Sequence, residues 1–272
     1  MIHATAILHP GAQVDPSVEV GPYSVIDGRV TIGPGCRIGP HVYLTGITTI
    51  GAHNQLHAGA VIGNAPQDLK YKGEPTSLRI GDRNTFRENV TVNRSTRPEG
   101  LTVIGSNNLL MAGSHVAHDV IVGNDTIIAN GALLAGHVVV GDRAVISGNC
   151  CVHQFVRIGT LAMMQGGSAI SLDLPPFTVA SGTNELSGLN TIGLRRAGLT
   201  SEQRLELRRL FHLLFRSGKS VKETLAQARA DFKGAAARIL IEFVASTQRG
   251  LCPVAKRARR ATAAADTEDE AG

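Results

Sequence analysis

The sequence predicts a mainly β protein in which a parallel sheet is coiled into a three-sided prism, followed by a small α-helical region. Three observations carry that expectation. An aliphatic residue recurs every six positions, at Ile2, Leu8, Val14, Val20, Ile26, Ile32, Ile38, Leu44, Ile50, Leu56 and Ile62, and again from Ile104 to Ile170. The composition, with 31 Gly, 4% aromatic residues and no Trp, suits a thin and regular interior. Beyond Ile170 the apolar spacing changes to that of a helix.

A period of six fits neither a helix at 3.6 residues per turn nor a plain alternating strand. It fits one short strand and one turn per hexad, with the aliphatic side chain inward and three hexads closing an eighteen-residue coil. Successive coils then stack at the ordinary strand spacing of roughly 4.8 Å. The phase is lost from Asp68 to Arg79 and again from Arg97 to Val103. Both stretches are expected to be loops ejected from a corner, where an insertion leaves the ladder undisturbed. Pro175 and Pro176 are expected to stop the repeat, giving a coiled domain over 1–186.

Helical signals follow over 187–251. Thr200 with Gln203 reads as a capping box ahead of Leu207, Leu210, Phe211, Leu214 and Phe215, and Ser220 with Glu223 reads as another. A third helix is expected over Ala235 to Thr247, stopped by Gly250. The tail, 252–272, mixes a basic cluster with an acidic end and is expected to be disordered.

Several function classes fall away. The start of the chain lacks a secretory pattern and no apolar run is long enough to span a membrane, so a cytoplasmic protein is expected. Cys36, Cys150, Cys151 and Cys252 form neither a disulfide framework nor a CxxC pair. The net charge of +5 is modest and lies late in the chain. It points to an acidic protein or a phosphorylated ligand rather than to nucleic acid, which would also call for aromatic residues among the basic ones.

The eighteen-residue coil indicates which distant residues become neighbours. Asp119 stacks under His137, and His118 lies two coils below Gln154, so His115, His118, His137 and His153 gather on or near one edge. Imidazoles beside a carboxylate suit general base catalysis, with Asp119 holding the useful tautomer. Three imidazoles could instead hold zinc with an open position for water, which describes a hydratase resembling carbonic anhydrase. A third reading is a non-catalytic scaffold whose polar corners collect histidine, as at His41, His53 and His57.

The segments 67–71 (QDLKY), 73–76 (GEPT), 108–111 (NLLM), 115–119 (HVAHD), 134–137 (LAGH) and 153–155 (HQF) resemble the UDP-N-acetylglucosamine acyltransferases, over residues 1 to about 250. The resemblance implies left-handed winding, against the right-handed preference of parallel crossovers. It implies a homotrimer that moves a hydroxyacyl chain from acyl carrier protein to the 3-position of UDP-N-acetylglucosamine or its 3-amino analogue, a step of lipid A biosynthesis. It also implies His118 as general base, Asp119 as its orienting carboxylate and the Gly136 N–H as oxyanion donor. Gln67, Asp68, Lys70, His115, His137, His153 and Gln154 would bind substrate, and Gly166 would set acyl length. Asn190 and Arg196 would touch the nucleotide, although Ile192 stands where many relatives have Glu and Ala197 where they have a second Arg. No metal and no bound cofactor is implied, since phosphopantetheine arrives with the donor, and no covalent intermediate is needed. Between Arg195 and Lys222 eight basic residues face two acidic ones, which would steer an acidic carrier protein. The allied N-acyltransferases usually carry an extra N-terminal uridine-binding domain, whereas here the repeat begins at Ile2.

Overall fold

In the computed structural model, which describes residues 1–254, each hexad is a strand of two to four residues with its aliphatic member turned inward. The strands stack into three sheets, the faces of a left-handed parallel β-helix. The first face has nine strands, from Ile7–Leu8 to Ala169–Ile170, and the second has eight, from Gln13–Val14 to Arg157–Ile158. The third has ten, from Glu19–Val20 through Met163–Met164 to Thr178–Ser181 and Glu185–Leu189. The hexad residues Ile26, Leu44, Ile62, Val92, Val116 and Leu134 are fully buried, and Phe86 is the largest side chain in that interior.

Most corners follow one backbone recipe. The third residue after the inward aliphatic has positive φ, as at Tyr23, His41, Asp119, His137 and Phe155. The second residue makes no ladder hydrogen bond through its N–H, which is why Pro10, Pro16, Pro22, Pro34 and Pro40 fit there without loss. Pro176 occupies the same slot after Leu174, with Phe177 at φ 68° behind it. The prolines therefore do not end the sheet: Thr178–Ser181 adds a further parallel strand on Met163–Met164. Glu185–Leu189 then turns back antiparallel and closes the face.

Both insertions leave from one corner, between the first face and the second. Ile50 pairs with Ile80 and Ile80 with Ile104, spacings of 30 and 24 residues where neighbouring coils have 18, so the loops add 12 and 6. Because both are multiples of six, the hexad phase survives them. Pairing resumes at Ser77 and Leu101, ahead of the return of the hexad, because Leu78 and Thr102 also turn inward. A buried ladder of Asn54, Asn84 and Asn108 spans these coils at the next corner. Each side-chain oxygen accepts a backbone N–H of the coil above, and the Asn84 and Asn108 amides cap Gly105 O and Gly123 O. Register is thereby held by fixed donor–acceptor pairs where chain is ejected.

Four helices follow among the described residues: α1 (Thr191–Arg196), α2 (Ser201–Arg216), α3 (Val221–Asp231) and α4 (Ala235–Ala245). Thr200 with Gln203 and Ser220 with Glu223 form the expected capping boxes. Leu207, Leu210, Leu214, Ala228, Leu240, Ile241 and Val244 make a second core that reaches Phe177 on the coil. Buried Asp173 ties the two parts together, accepting from Arg157 Nη2 at 2.9 Å and from Thr247 Oγ1 at 2.9 Å. The start of the expected tail is not loose. Cys252 is buried with its N–H on Asp173 O, and Leu186 donates to Pro253 O, because the segment returns to cover the apolar end of the prism. The remainder of that tail, 255–272, lies outside the described residues.

Candidate active site

The corner that ejects the loops also carries the histidines. Asp119, His137 and Phe155 stack at its positive-φ position in successive coils, with the His137 N–H on His118 O and the Phe155 N–H on Gly136 O. His118, Gly136 and Gln154 stack one position earlier, where the backbone N–H has no ladder partner.

Asp119 is the electrostatic centre of this corner. Its Oδ2 accepts from His118 Nδ1 at 2.8 Å and from Thr96 Oγ1 at 2.7 Å and Thr96 N at 3.2 Å, and its Oδ1 accepts from Ser95 Oγ. Its own N–H donates to Thr102 Oγ1 at 2.8 Å. Burial pushes the Asp119 carboxyl up, but the hydrogen bonds from Ser95, Thr96 and His118 outweigh it and hold the group at about 2. An ionised carboxylate only accepts, so in the neutral ring of His118 the proton belongs on Nδ1 and the lone pair on Nε2. The His137 and His118 rings are nearly perpendicular, centroids 5.3 Å apart, and His137 brings Nε2 within 3.6 Å of Asp119 Oδ2. Burial lowers the pKa of His137 and of His115, whose Nδ1 meets Thr91 Oγ1 at 2.7 Å.

His118 stands on the ridge between two grooves. An apolar groove of about 540 Å³ runs up the first face past His115, Leu133, Gly136, Cys151 and Ala169, with Gln67 and His153 on its rim. A polar groove of about 370 Å³ lies towards the loops, between Asp68, Lys70, Arg97, His137, Gln154 and Phe155. An added Cβ on Gly136 would lie 2.7 Å from His118 Nε2, so the imidazole occupies space that only glycine leaves.

Residues 173–252 match the family model described as UDP N-acetylglucosamine O-acyltransferase, domain 2. Residues 11–46 and 101–136 match the bacterial transferase hexapeptide model. An acyl-[acyl-carrier-protein]–UDP-N-acetylglucosamine O-acyltransferase of Chlorobaculum parvum is 58% identical over 85% of this chain and 89% of its own. Its counterpart in Trichlorobacter lovleyi is 52% identical over 92% and 98%. The chain belongs to the UDP-N-acetylglucosamine O-acyltransferase family. Among solved members, the acyltransferase of Campylobacter jejuni superposes with a TM-score of 0.89 at 35% identity, over 94% of this chain and 100% of its own.

Not every residue expected at a family site lies at the loop-bearing corner. Asn190 is at the corner between the second and third faces, where its Oδ1 caps α1 through Gly193 N and its Nδ2 donates to Leu161 O. Arg196 is exposed near the end of the same helix. Gly166 is exposed at the corner between the third and first faces. Ser95, Thr96 and Phe155, in contrast, were missed by sequence reasoning. Phe155 was within reach, being Asp119 plus two coils, whereas the contact of Ser95 and Thr96 depends on a loop path that no period fixes.

Proposed function

We infer that the chain transfers an (R)-3-hydroxyacyl chain from acyl carrier protein to the 3-position of UDP-N-acetylglucosamine, a step of lipid A biosynthesis, with His118 as general base. The observation that carries the reading is the pairing of a free His118 Nε2 with the unpartnered N–H of Gly136, one coil above it and 2.7 Å from that nitrogen to the place of a Cβ. A base and a candidate oxyanion donor thus lie side by side in the lining of the apolar groove, where it borders the polar one at His118.

The chemistry follows from that placement. The acceptor hydroxyl gives its proton to His118 Nε2 and attacks the thioester carbonyl. The Gly136 N–H donates to the oxyanion of the tetrahedral intermediate, and Asp119 steadies the imidazolium. Collapse of the intermediate breaks the carbon–sulfur bond, and the thiolate of phosphopantetheine takes the proton back from His118. The polar groove, with Asp68, Lys70, His137 and Gln154, suits the sugar; the apolar groove, flanked by Gln67, His115 and His153, suits the acyl chain.

We extend the reading to a homotrimer. On the third face the outward column is polar in the N-terminal half, with Glu19, Arg37, Gln55 and Thr85, and becomes apolar in the C-terminal half, with Leu109, Ile127, Val145 and Met163. The second face carries Val103, Ile121 and Val139 at the same level, Ile121 being 46% exposed. Apolar columns of that length suit contact between copies. A second copy is also what would bring Asn190, Arg196 and Gly166, on other corners, to a cleft containing His118. The basic face of α2, with Arg204, Arg208, Arg209 and Arg216, suits the acidic carrier protein.

A metal reading has one observation in its favour, that donor atoms of His118, Asp119 and His137 lie within 4.8 Å of one another. The Asp119 oxygens, however, already accept from Ser95, Thr96 and His118, so a metal would have to displace those donors. The deciding assay incubates the protein with hydroxyacyl carrier protein of graded chain length and UDP-sugars bearing a 3-hydroxyl or a 3-amino group. Transfer is expected, and His118→Ala should lower kcat roughly a thousandfold with the fold intact. No transfer to either acceptor, or full kcat in His118→Ala, would defeat the reading.

A further inference from the structure

We propose that Ser95 and Thr96, on the second ejected loop, which in the structure runs over 94–100 between the strands Thr91–Asn93 and Leu101–Ile104, are positioning residues that fix the Asp119 carboxylate so that it keeps the His118 proton on Nδ1. The proposal rests on His118 acting as the base.

The contacts are concentrated in one segment. Ser95 Oγ donates to Asp119 Oδ1, Thr96 donates to Oδ2 through both its N–H and its hydroxyl, and Thr102 Oγ1 accepts the Asp119 N–H. Three side chains within eight residues thus surround one aspartate, on the coil that the loop lengthens by six. Ser95 is fully buried, and a Cβ on Gly100 would run into its hydroxyl, so the loop closes tightly over this contact.

The carboxylate needs such a cradle because two imidazoles compete for it. Asp119 Oδ2 is 2.8 Å from His118 Nδ1 and 3.6 Å from His137 Nε2. A small rotation would move its charge towards His137 and leave His118 Nδ1 without an acceptor. The neutral ring could then carry its proton on Nε2, the nitrogen that must receive one from the acceptor. The Ser95 and Thr96 donors hold the oxygens in the orientation that favours His118. Ser95 lines neither groove, and Thr96 lines only the polar one, with its hydroxyl and N–H both spent on Asp119, so their effect on the base runs through Asp119.

The test measures kcat and KM for Ser95→Ala, Thr96→Val and Thr96→Ser, each alone and combined with Asp119→Asn, at enzyme concentrations high enough to read residual turnover. Thr96→Val and Ser95→Ala should each lower kcat about tenfold, with KM for both substrates within about twofold, and Thr96→Ser should restore most of the loss. In the Asp119→Asn background the same changes should cost less than about twofold, since the group they position is already altered. Equal losses in both backgrounds, or losses that appear in KM, would assign these residues a merely structural role and overturn the proposal. An unchanged kcat in Asp119→Asn alone would bring down the base mechanism itself, a separate outcome from failure of the cradle.

Discussion

His137 lies flat on Phe155, ring centroids 4.5 Å apart and planes 7° from parallel, while its plane stands nearly perpendicular to that of His118. The stack is a product of the coil length, because the two residues occupy the same corner position one turn apart. Phe155 is 47% exposed, and one face of its ring is covered by His137. Phe155→Ala should free the imidazole to rotate away from the polar groove. The expected result is a KM for the UDP-sugar raised several-fold, with kcat less affected and a stability loss of about 1 kcal/mol. Steady-state kinetics and denaturant titration check this; an unchanged KM would mean that His137 does not need the stack to meet the acceptor.

Gly136 makes a sharper case. Gly136 is buried, and a methyl group there would stand 2.7 Å from His118 Nε2 and push the ring from its place, while the φ of Gly136 lies outside the left-handed region, so the backbone itself accepts alanine. Gly136→Ala should therefore lower kcat about a hundredfold or more while the thermal midpoint stays within a few degrees. Activity close to that of the parent chain would show that the imidazole can move aside without loss, and so that its present position is not the working one.

The Asp119 carboxyl gives a prediction with a definite sign. Its folded value of about 2 lies below the ordinary 3.8, so the ionised form is favoured by folding. The stabilisation is present above the unfolded value and is lost as pH falls through the folded one, between about pH 4 and pH 2, and amounts to about 2 kcal/mol. Urea titrations across that range should give a steeper fall in stability for the parent than for Asp119→Asn. Parallel curves would mean that the carboxylate gains nothing from its donors.

The unequal legibility of fold and site has a physical cause. The hexad is a strict period, so Ile26, Leu44 and Ile62 could be placed inside, and Asp119 under His137, by addition alone. Adjacency did not guarantee that His118 and Asp119 touch; the positive φ of Asp119 turns the two side chains together. Pro176 misled because proline usually breaks a strand, yet the coil offers a slot that needs no N–H. Asn190, set by family likeness against the nucleotide, spends both ends of its amide on the cap of α1 and on Leu161 O. The Ser95 and Thr96 cradle was out of reach, because a loop's path depends on packing that the repeat does not encode.

Chelation separates acyl transfer from zinc-dependent hydration. The proposed base mechanism asks only for proton transfer at His118, and the Asp119 oxygens already accept from hydroxyl, amide and imidazole donors. Protein stripped with a strong chelator should keep its transferase activity within about twofold of the untreated sample. Complete loss that returns on adding zinc would favour the metal reading, with His118, Asp119 and His137 as the first ligands to test.

Gly166 tests the acyl-length expectation together with the trimer. It is exposed at a corner other than that of His118, so by itself it could not touch an acyl chain lying against His115 and Leu133. It reaches that chain only if a second copy lays this corner along the apolar groove. An added Cβ would stand 3.6 Å from Gly148 O, an ordinary contact, so a larger side chain can be accepted without strain and would project outward. Gly166→Met should thus leave the thermal midpoint nearly unchanged while moving the preferred donor to a chain shorter by about two to four carbons, the reach of the new side chain. Competition between donors of graded length, read by mass spectrometry of the acylated sugar, measures the shift. An unchanged preference would remove Gly166 from the acyl site and leave the groove along Leu133, Cys151 and Ala169 to set chain length within a single copy.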